Sequence, residues 1–177
     1  IDLMADELKS FIKEISKKDP FQEVAKEIPL ISNLIQTGYT GRKGKGGFYR
    51  MNKKKNQKIL EAINLETGEY SPTKKIDLGI ETVNLKLLIE RKDKYGEYAW
   101  SVISKIIKYA SSLVPAITDK FNDIDEAMRL GFNWAMGPFE MLKSIGVKNF
   151  FNRIDSFENN NFLENLSKNK DENFYGE

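Results

Sequence analysis

The chain of 177 residues contains no cysteine and no histidine. Without thiols it can form neither disulfides nor thiolate metal sites, which fits a reducing, cytoplasmic setting. The missing histidine excludes more. Imidazole is the commonest general acid or base because its ordinary pKa lies near neutrality, so proton chemistry here would fall to carboxylates, lysine or tyrosine. Most hydrolytic and redox schemes are thereby closed to this chain alone. No apolar run approaches the roughly 20 residues of a membrane span, and no signal segment is visible. The first residue is Ile rather than Met, so the chain is expected to begin inside a longer gene product.

What is present suffices for one real core: 40% of residues are hydrophobic, enough for a domain or a domain with a partial neighbour. The net charge is only +2, too little to imply a nucleic-acid partner. It is unevenly spread, with eight Lys or Arg and no acid over residues 42–58, and six acids against two lysines over 155–177. Both runs read as solvated surface. Within the basic run, "GYTGRKGKGGFYR" (38–50) raises the question of a phosphate cradle. The spacing answers against it. Gly41 is followed by Gly46, Gly47 and Phe48 where a Walker loop needs Gly-Lys-Ser/Thr. Gly44 and Gly46 open a G-x-G whose third glycine is replaced by Tyr49.

Hydrophobic spacing sets the elements. Leu3, Met4, Leu8, Phe11, Ile12 and Ile15 predict an amphipathic helix over residues 3–15, ended by "DPF". Residues 21–37 read as two short helical pieces, interrupted at Pro29 and closed by Gly38 as a left-handed cap. Phe48, Tyr49 and Met51, then "NKKKN", "QKILEAINL" and the "ETG" turn, predict a two-stranded hairpin. The glycines would bend the backbone ahead of it, with the lysines along an exposed edge. "SPTKK" and "RKDKYGE" read as linkers around a helix over residues 76–90. From Glu97 to Asp119 the stripe Ala99, Val102, Ile103, Ile106, Ile107, Ala110, Leu113, Val114 and Ile117, flanked by Trp100, predicts a long core helix, with Pro115 inside it and a kink or a break near Ser111 to Pro115.

The sharpest pattern is "NDIDEAMRLGFNWAMGPFEMLKSIGV", residues 122–147. Asn122 or Asp123 is expected to cap a helix that Gly131 ends after barely two turns. Gly137 and Pro138 start the next, and Gly146 stops it. Helices this short persist only by burying Ile124, Ala127, Met128, Phe132, Trp134, Phe139, Met141, Leu142 and Ile145 together. Asp123, Asp125 and Glu126 read as first-turn carboxylates complementing the helix dipole rather than as metal ligands or an acid–base pair.

These residues carry a resemblance. "DIDEAMRLGFNWAMGPFEMLKSIGV" resembles the signature of the C-terminal helical domain of 3-hydroxyacyl-CoA dehydrogenases, with Asp-x-Asp-x-Ala-Met, a glycine and Gly-Pro-Phe in order. "GRKGKGGFY" is similar to the Gly-x-Lys-x-Gly-x-Gly-Phe-Tyr stretch of longer, bacterial-type members. The likeness covers residues 39–147 well and the flanks loosely. It marks Gly41, Lys43, Gly46, Gly47, Phe48, Tyr49, Asp123, Asp125, Ala127, Met128, Gly131, Trp134, Gly137, Pro138, Phe139 and Gly146 as structural motif positions.

The resemblance implies a mainly α fold, a helical bundle of the 6-phosphogluconate dehydrogenase C-terminal-like type with a small β-hairpin insertion. Residues 1–38 would be the tail of a first helical unit, 39–75 the Gly/Lys-rich loop and hairpin, and 76–177 a second unit. The start of the chain, "IDLMADELKSFIKEI", as the tail of the first unit, can be laid against "VKNFFNRI" of the second, with Ile1 opposite Val147. The parent enzyme would oxidise L-3-hydroxyacyl-CoA to 3-oxoacyl-CoA with NAD in fatty-acid β-oxidation. The family's catalytic His–Glu pair, its substrate-side Ser and Asn and its NAD fingerprint belong to parts that match no position here, so no catalytic, cofactor-binding or metal residue is assigned. Implied partners are the Rossmann domain, the first helical unit and acyl-CoA, with a homo-oligomer left open and no nucleic acid. Two other readings stand beside this one. Arg42, Lys43, Lys45, Arg50, Lys53, Lys54 and Lys55 with Phe48 and Tyr49 could bind nucleic-acid or ligand phosphates, and an exposed apolar helix face could make an interaction module.

Overall fold

The computed structural model describes residues 1–54, 57–77, 79, 84–169 and 174–175, and it divides into two units, Ile1–Ile76 and Asp77–Glu177. Lys55 and most of residues 78–83, within the expected 76–90 helix, lie outside the described residues.

The first unit opens with α1 (Asp2–Glu14), which follows the expected amphipathic spacing yet has no buried residue. A single turn, α2 (Phe21–Val24), sets Phe21 edge-on to Phe11 with ring centroids 5.6 Å apart. Helix α3 (Pro29–Gln36) starts at Pro29, where the missing N–H costs no helical hydrogen bond, and Leu34 is its buried residue. Tyr39 N–H donates back to Leu34 C=O beyond Gly38, closing the helix.

A sheet follows: β1 (Tyr49–Lys54), β2 (Gln57–Ile63) and β3 (Tyr70–Pro72), all antiparallel in the order β1-β2-β3. The expected two-stranded hairpin therefore gains a third strand. "SPTKK" is not wholly a linker, because Ser71 and Pro72 pair with Ala62 and Glu61. Proline is tolerated at the end of an edge strand, where its missing donor faces no partner. Register places Arg50 opposite Glu61 and Met51 opposite Leu60.

The second unit contains α4 (Leu85–Glu90), α5 (Lys94–Ser112), α6 (Phe121–Phe132), α7 (Pro138–Ile145), α8 (Val147–Phe151) and α9 (Asn161–Asn169). Its core is one cluster of Ile89, Ile107, Leu142, Ile145, Val147, Phe150, Leu163 and Leu166. Helix α5 packs against α4, α7 and α9. It begins inside the expected "RKDKYGE" linker because Asp93 caps it, accepting from Tyr95 N–H at 3.0 Å and Gly96 N–H at 3.1 Å. It stops at Ser112. The helix thus breaks within the expected stretch from Ser111 to Pro115 instead of kinking through it, and the apolar stripe runs past its end to Ile117, which is 72% exposed.

The chain is thus mainly α with a small antiparallel sheet. Among the described residues no helix is long and apolar enough to cross a membrane.

Candidate functional site

The motif of residues 122–147 centres on Asp125. Helix α6 follows Lys120 as its cap, in place of the expected Asn122 or Asp123, and runs from Phe121 through Gly131 to Phe132; Asn133 with φ +54° supplies the left-handed terminus that Gly131 was expected to provide. Asp125 is fully buried on α6, not a solvated first-turn acid. Its Oδ1 accepts from Phe139 N–H at 2.8 Å and its Oδ2 from Glu140 N–H at 2.9 Å, so it caps the next helix, α7. Burial raises its pKa, opposed by these two amides and by a hydrogen bond with Tyr175.

The start of α7 is closed completely. Gly137 N–H donates to Glu140 Oε2 at 2.8 Å, Pro138 has no N–H, and Phe139 and Glu140 are held by Asp125. Each free donor of the first turn has an acceptor or does not exist. Glycine at 137 is a steric requirement. A Cβ there would come closer than 3.0 Å to the carboxylate, Cα and Cβ of Asp125. Arg129 pairs with Glu140 Oε1 at 3.1 Å, and Phe139 packs on Phe121 and Phe162 with centroids 5.2 and 5.1 Å away.

The other motif positions scatter around this node. Pro138 and Phe139 are buried, Met128 and Trp134 half-buried, and Asp123, Ala127 and Gly131 exposed. Asp123 Oδ2 accepts from Thr118 Oγ1 at 3.0 Å, while Gly146, at φ +89°, joins α7 to α8. Of the expected joint core, Phe139, Leu142 and Ile145 are buried, but Phe132 is 70% exposed. Among the described residues no group of acids could hold a metal.

In the first unit the glycine stretch folds upon itself. Gly41 and Gly46, at φ +123° and +127°, form an antiparallel bridge with Gly41 N–H donating to Gly46 C=O at 2.7 Å. Only glycine adopts those angles without strain. Gly44, Lys45 and Gly47 N–H donate to the carbonyls of Gly41, Gly38 and Tyr49. Amides committed in this way do not form a phosphate cradle. Lys45 Nζ donates to Thr37 C=O at 2.9 Å, at the end of α3. Arg50 pairs with the buried Glu61 at 2.7 Å, lies 4.0 Å over the Tyr70 ring and donates to Tyr39 Oη at 3.2 Å. The Glu61 hydrogen bond is the main cause that raises the Arg50 pKa. Arg42, Lys43, Lys53 and Tyr49 are exposed, and Phe48 is half-buried.

Sequence reasoning missed Glu140, Arg129, Glu61 and Tyr175. A signal existed for Glu140, because an acid three residues after a helix-capping position marks a capping box. The others depend on contacts that spacing does not reveal.

The motif thus forms a helix-capping node: a short helix with its first turn sealed by an aspartate of the preceding helix, a glycine at their crossing and Pro-Phe behind it. Residues 98–170 match the family model described as 3-hydroxyacyl-CoA dehydrogenase, C-terminal domain. The chain is 36% identical over 145 residues to a Rickettsia prowazekii protein named "Putative fatty acid oxidation complex trifunctional enzyme", covering 82% of this chain and 20% of that protein. A Rickettsia felis protein of the same name is 35% identical over the same shares. A Bacillus subtilis "Probable 3-hydroxyacyl-CoA dehydrogenase" is 30% identical over 76% of this chain and 18% of its own length. The family likeness thus rests on residues 98–170, and the chain spans about a fifth of the length of these relatives. No solved structure matches it.

Proposed function

We propose that this chain is the C-terminal part of an NAD-dependent 3-hydroxyacyl-CoA dehydrogenase of fatty-acid β-oxidation, with a packing role and no catalysis of its own. In this reading residues 76–177 are a second helical unit of the 6-phosphogluconate dehydrogenase C-terminal-like type. Residues 1–38 are the end of a first unit, and residues 39–75 connect the two. The observation that carries the reading is the Asp125–Gly137–Pro138–Phe139 node, in which four residues of the family motif meet. The relatives' much greater length leaves room for the domains that would hold NAD and acyl-CoA.

The residues present do not fit NAD. The loop amides are taken by backbone carbonyls, the buried Asp125 is saturated by amides and Tyr175, and no histidine stands ready as a base. Hydride transfer needs a fixed nicotinamide and a base within reach of the hydroxyl. Those groups belong, in this proposal, to the remainder of the polypeptide, and the contribution of this chain is to hold that remainder in place.

Two measurements test the proposal. The full-length protein is expected to reduce NAD in the presence of L-3-hydroxyacyl-CoA, monitored at the NADH absorbance band. Calorimetric titration of the 177-residue chain with NAD is expected to give no saturable heat. Saturable binding by the chain alone would overturn the packing role, and an inactive full-length protein would overturn the enzyme assignment.

A further inference from the structure

The sheet of the first unit turns an ion pair inward and apolar side chains outward. In a sheet with one solvated face the usual arrangement is the reverse, apolar on the core and polar in water. Here the inner face holds Arg50 paired with Glu61, and Asn52 donates to Glu61 Oε1 at 2.8 Å, beside the buried Ile63. Alternation along the strands then sends Tyr49 and Met51 of β1 and Leu60 of β2 outward, where they are 62%, 53% and 45% exposed. Register sets Met51 directly against Leu60. Two positions further along the same face, Lys53 stands directly opposite Lys58, and both are exposed. Like charges in facing positions repel and weaken a sheet. Lys54 and Lys55 follow in sequence toward the turn between the strands, and residues 42–58 contain no acid to offset them. One flat face therefore carries an apolar pair left in water next to a lysine pair held against its own repulsion. An occupant that is both anionic and apolar relieves both.

We propose that this outer face binds an anionic lipid surface, with Lys53 and Lys58 on the headgroup phosphates and Tyr49, Met51 and Leu60 in the interfacial layer. Size favours a lipid surface over a folded protein. Three strands about 4.8 Å apart, taken over residues 49–53 at about 3.4 Å each, give roughly 250 Å². A stable protein interface takes about 800 Å² from each partner. On an anionic membrane a small patch suffices, because each basic residue near the surface multiplies partition about fivefold and inserted apolar side chains add a second anchor. Lysine stems are long enough to reach phosphates while the strands lie along the headgroups. A single-stranded nucleic acid would stack its bases on successive rings, and among the described residues of this face Tyr49 is the single ring. The proposal goes beyond the dehydrogenase reading and does not depend on it, since binding is measured without turnover.

Vesicle flotation tests it, on the 177-residue chain and on the full-length protein. Partition onto vesicles of phosphatidylcholine and phosphatidylglycerol in equal parts is expected to exceed that onto phosphatidylcholine alone by about tenfold or more, and to fall as added salt screens the lysines. Lys58→Glu separates binding from folding. It turns a repelling cross-strand pair into an attracting one, so the melting temperature is expected to hold or rise while partition drops about twentyfold or more. Met51→Trp adds a positional readout: its emission in excess of the wild type is expected to shift to the blue on the mixed vesicles and to be quenched by brominated phosphatidylcholine. Equal partition onto neutral vesicles would overturn the proposal, as would binding that Lys58→Glu leaves unchanged or a Met51→Trp emission that stays at its aqueous position. Partition by the 177-residue chain but not by the full-length protein would assign the face to the rest of the polypeptide instead. Tighter retention on single-stranded DNA than on the mixed vesicles would assign the lysines to a nucleic acid.

Discussion

Asp125 and Gly137 form one contact seen from two sides. The carboxylate is buried at a cost that raises its pKa, and two amide donors compensate. Asp125→Asn leaves one amide facing an NH2 group, so a loss of about 2–3 kcal/mol is expected in chemical denaturation. The glycines of the same motif separate under substitution. Gly137→Ala forces a Cβ into Asp125 and is expected to cost about 2–3 kcal/mol. Gly131→Ala meets nothing within 4 Å and lies inside α6, where alanine is the better helix former, so a gain of about 0.5–1 kcal/mol is expected. Equal effects at the two positions would contradict the geometry. Phe132→Ser, on a side chain 70% exposed, should stay within about 0.5 kcal/mol of the wild type.

Among the elements, α5 carries the clearest pH dependence. Asp93 is held at a pKa of about 2 by its hydrogen bond from Arg91 and by the amides of Gly96 and Tyr95. A group with a depressed folded-state pKa stabilises above its unfolded value and loses that contribution as pH falls through the folded one. Thermal melts between pH 5 and pH 2 are expected to show stability falling below about pH 4, and Asp93→Asn should flatten that part of the curve. The elements also mark where the sequence was legible. Helices α1 and α7 followed from apolar spacing and from Gly137-Pro138, because both signals are local. The third strand did not, since Tyr70–Pro72 is three residues long and ends on a proline, too short for alternation to register. Gly131 read as a stop because glycine often ends helices, whereas Asn133 supplies the left-handed residue here. Asp125 read as a first-turn acid because Asn122 or Asp123 reads as the cap, whereas the cap is Lys120 and the helix starts at Phe121. That it faces another helix is a tertiary fact with no trace in spacing.

Across the whole molecule, the described core cluster lies entirely within Asp77–Glu177, while the first unit buries Leu34 and Ile63. A polypeptide of residues 77–177 is therefore expected to melt cooperatively by circular dichroism, and one of residues 1–76 to show a broad, weak transition. A gradual melt of 77–177 would mean that its helices depend on material outside the unit. The link from Asp125 to Phe139 also closes a loop of 14 residues, far less chain than separates α4 from α9. Short closures lose little entropy and form before distant ones. This link therefore belongs to the folding nucleus of the second unit: in stopped-flow experiments on 77–177, Asp125→Asn should slow refolding and leave the unfolding limb nearly unchanged. A faster unfolding limb with unaltered refolding would place the cap late, as the last turn of a helix already docked.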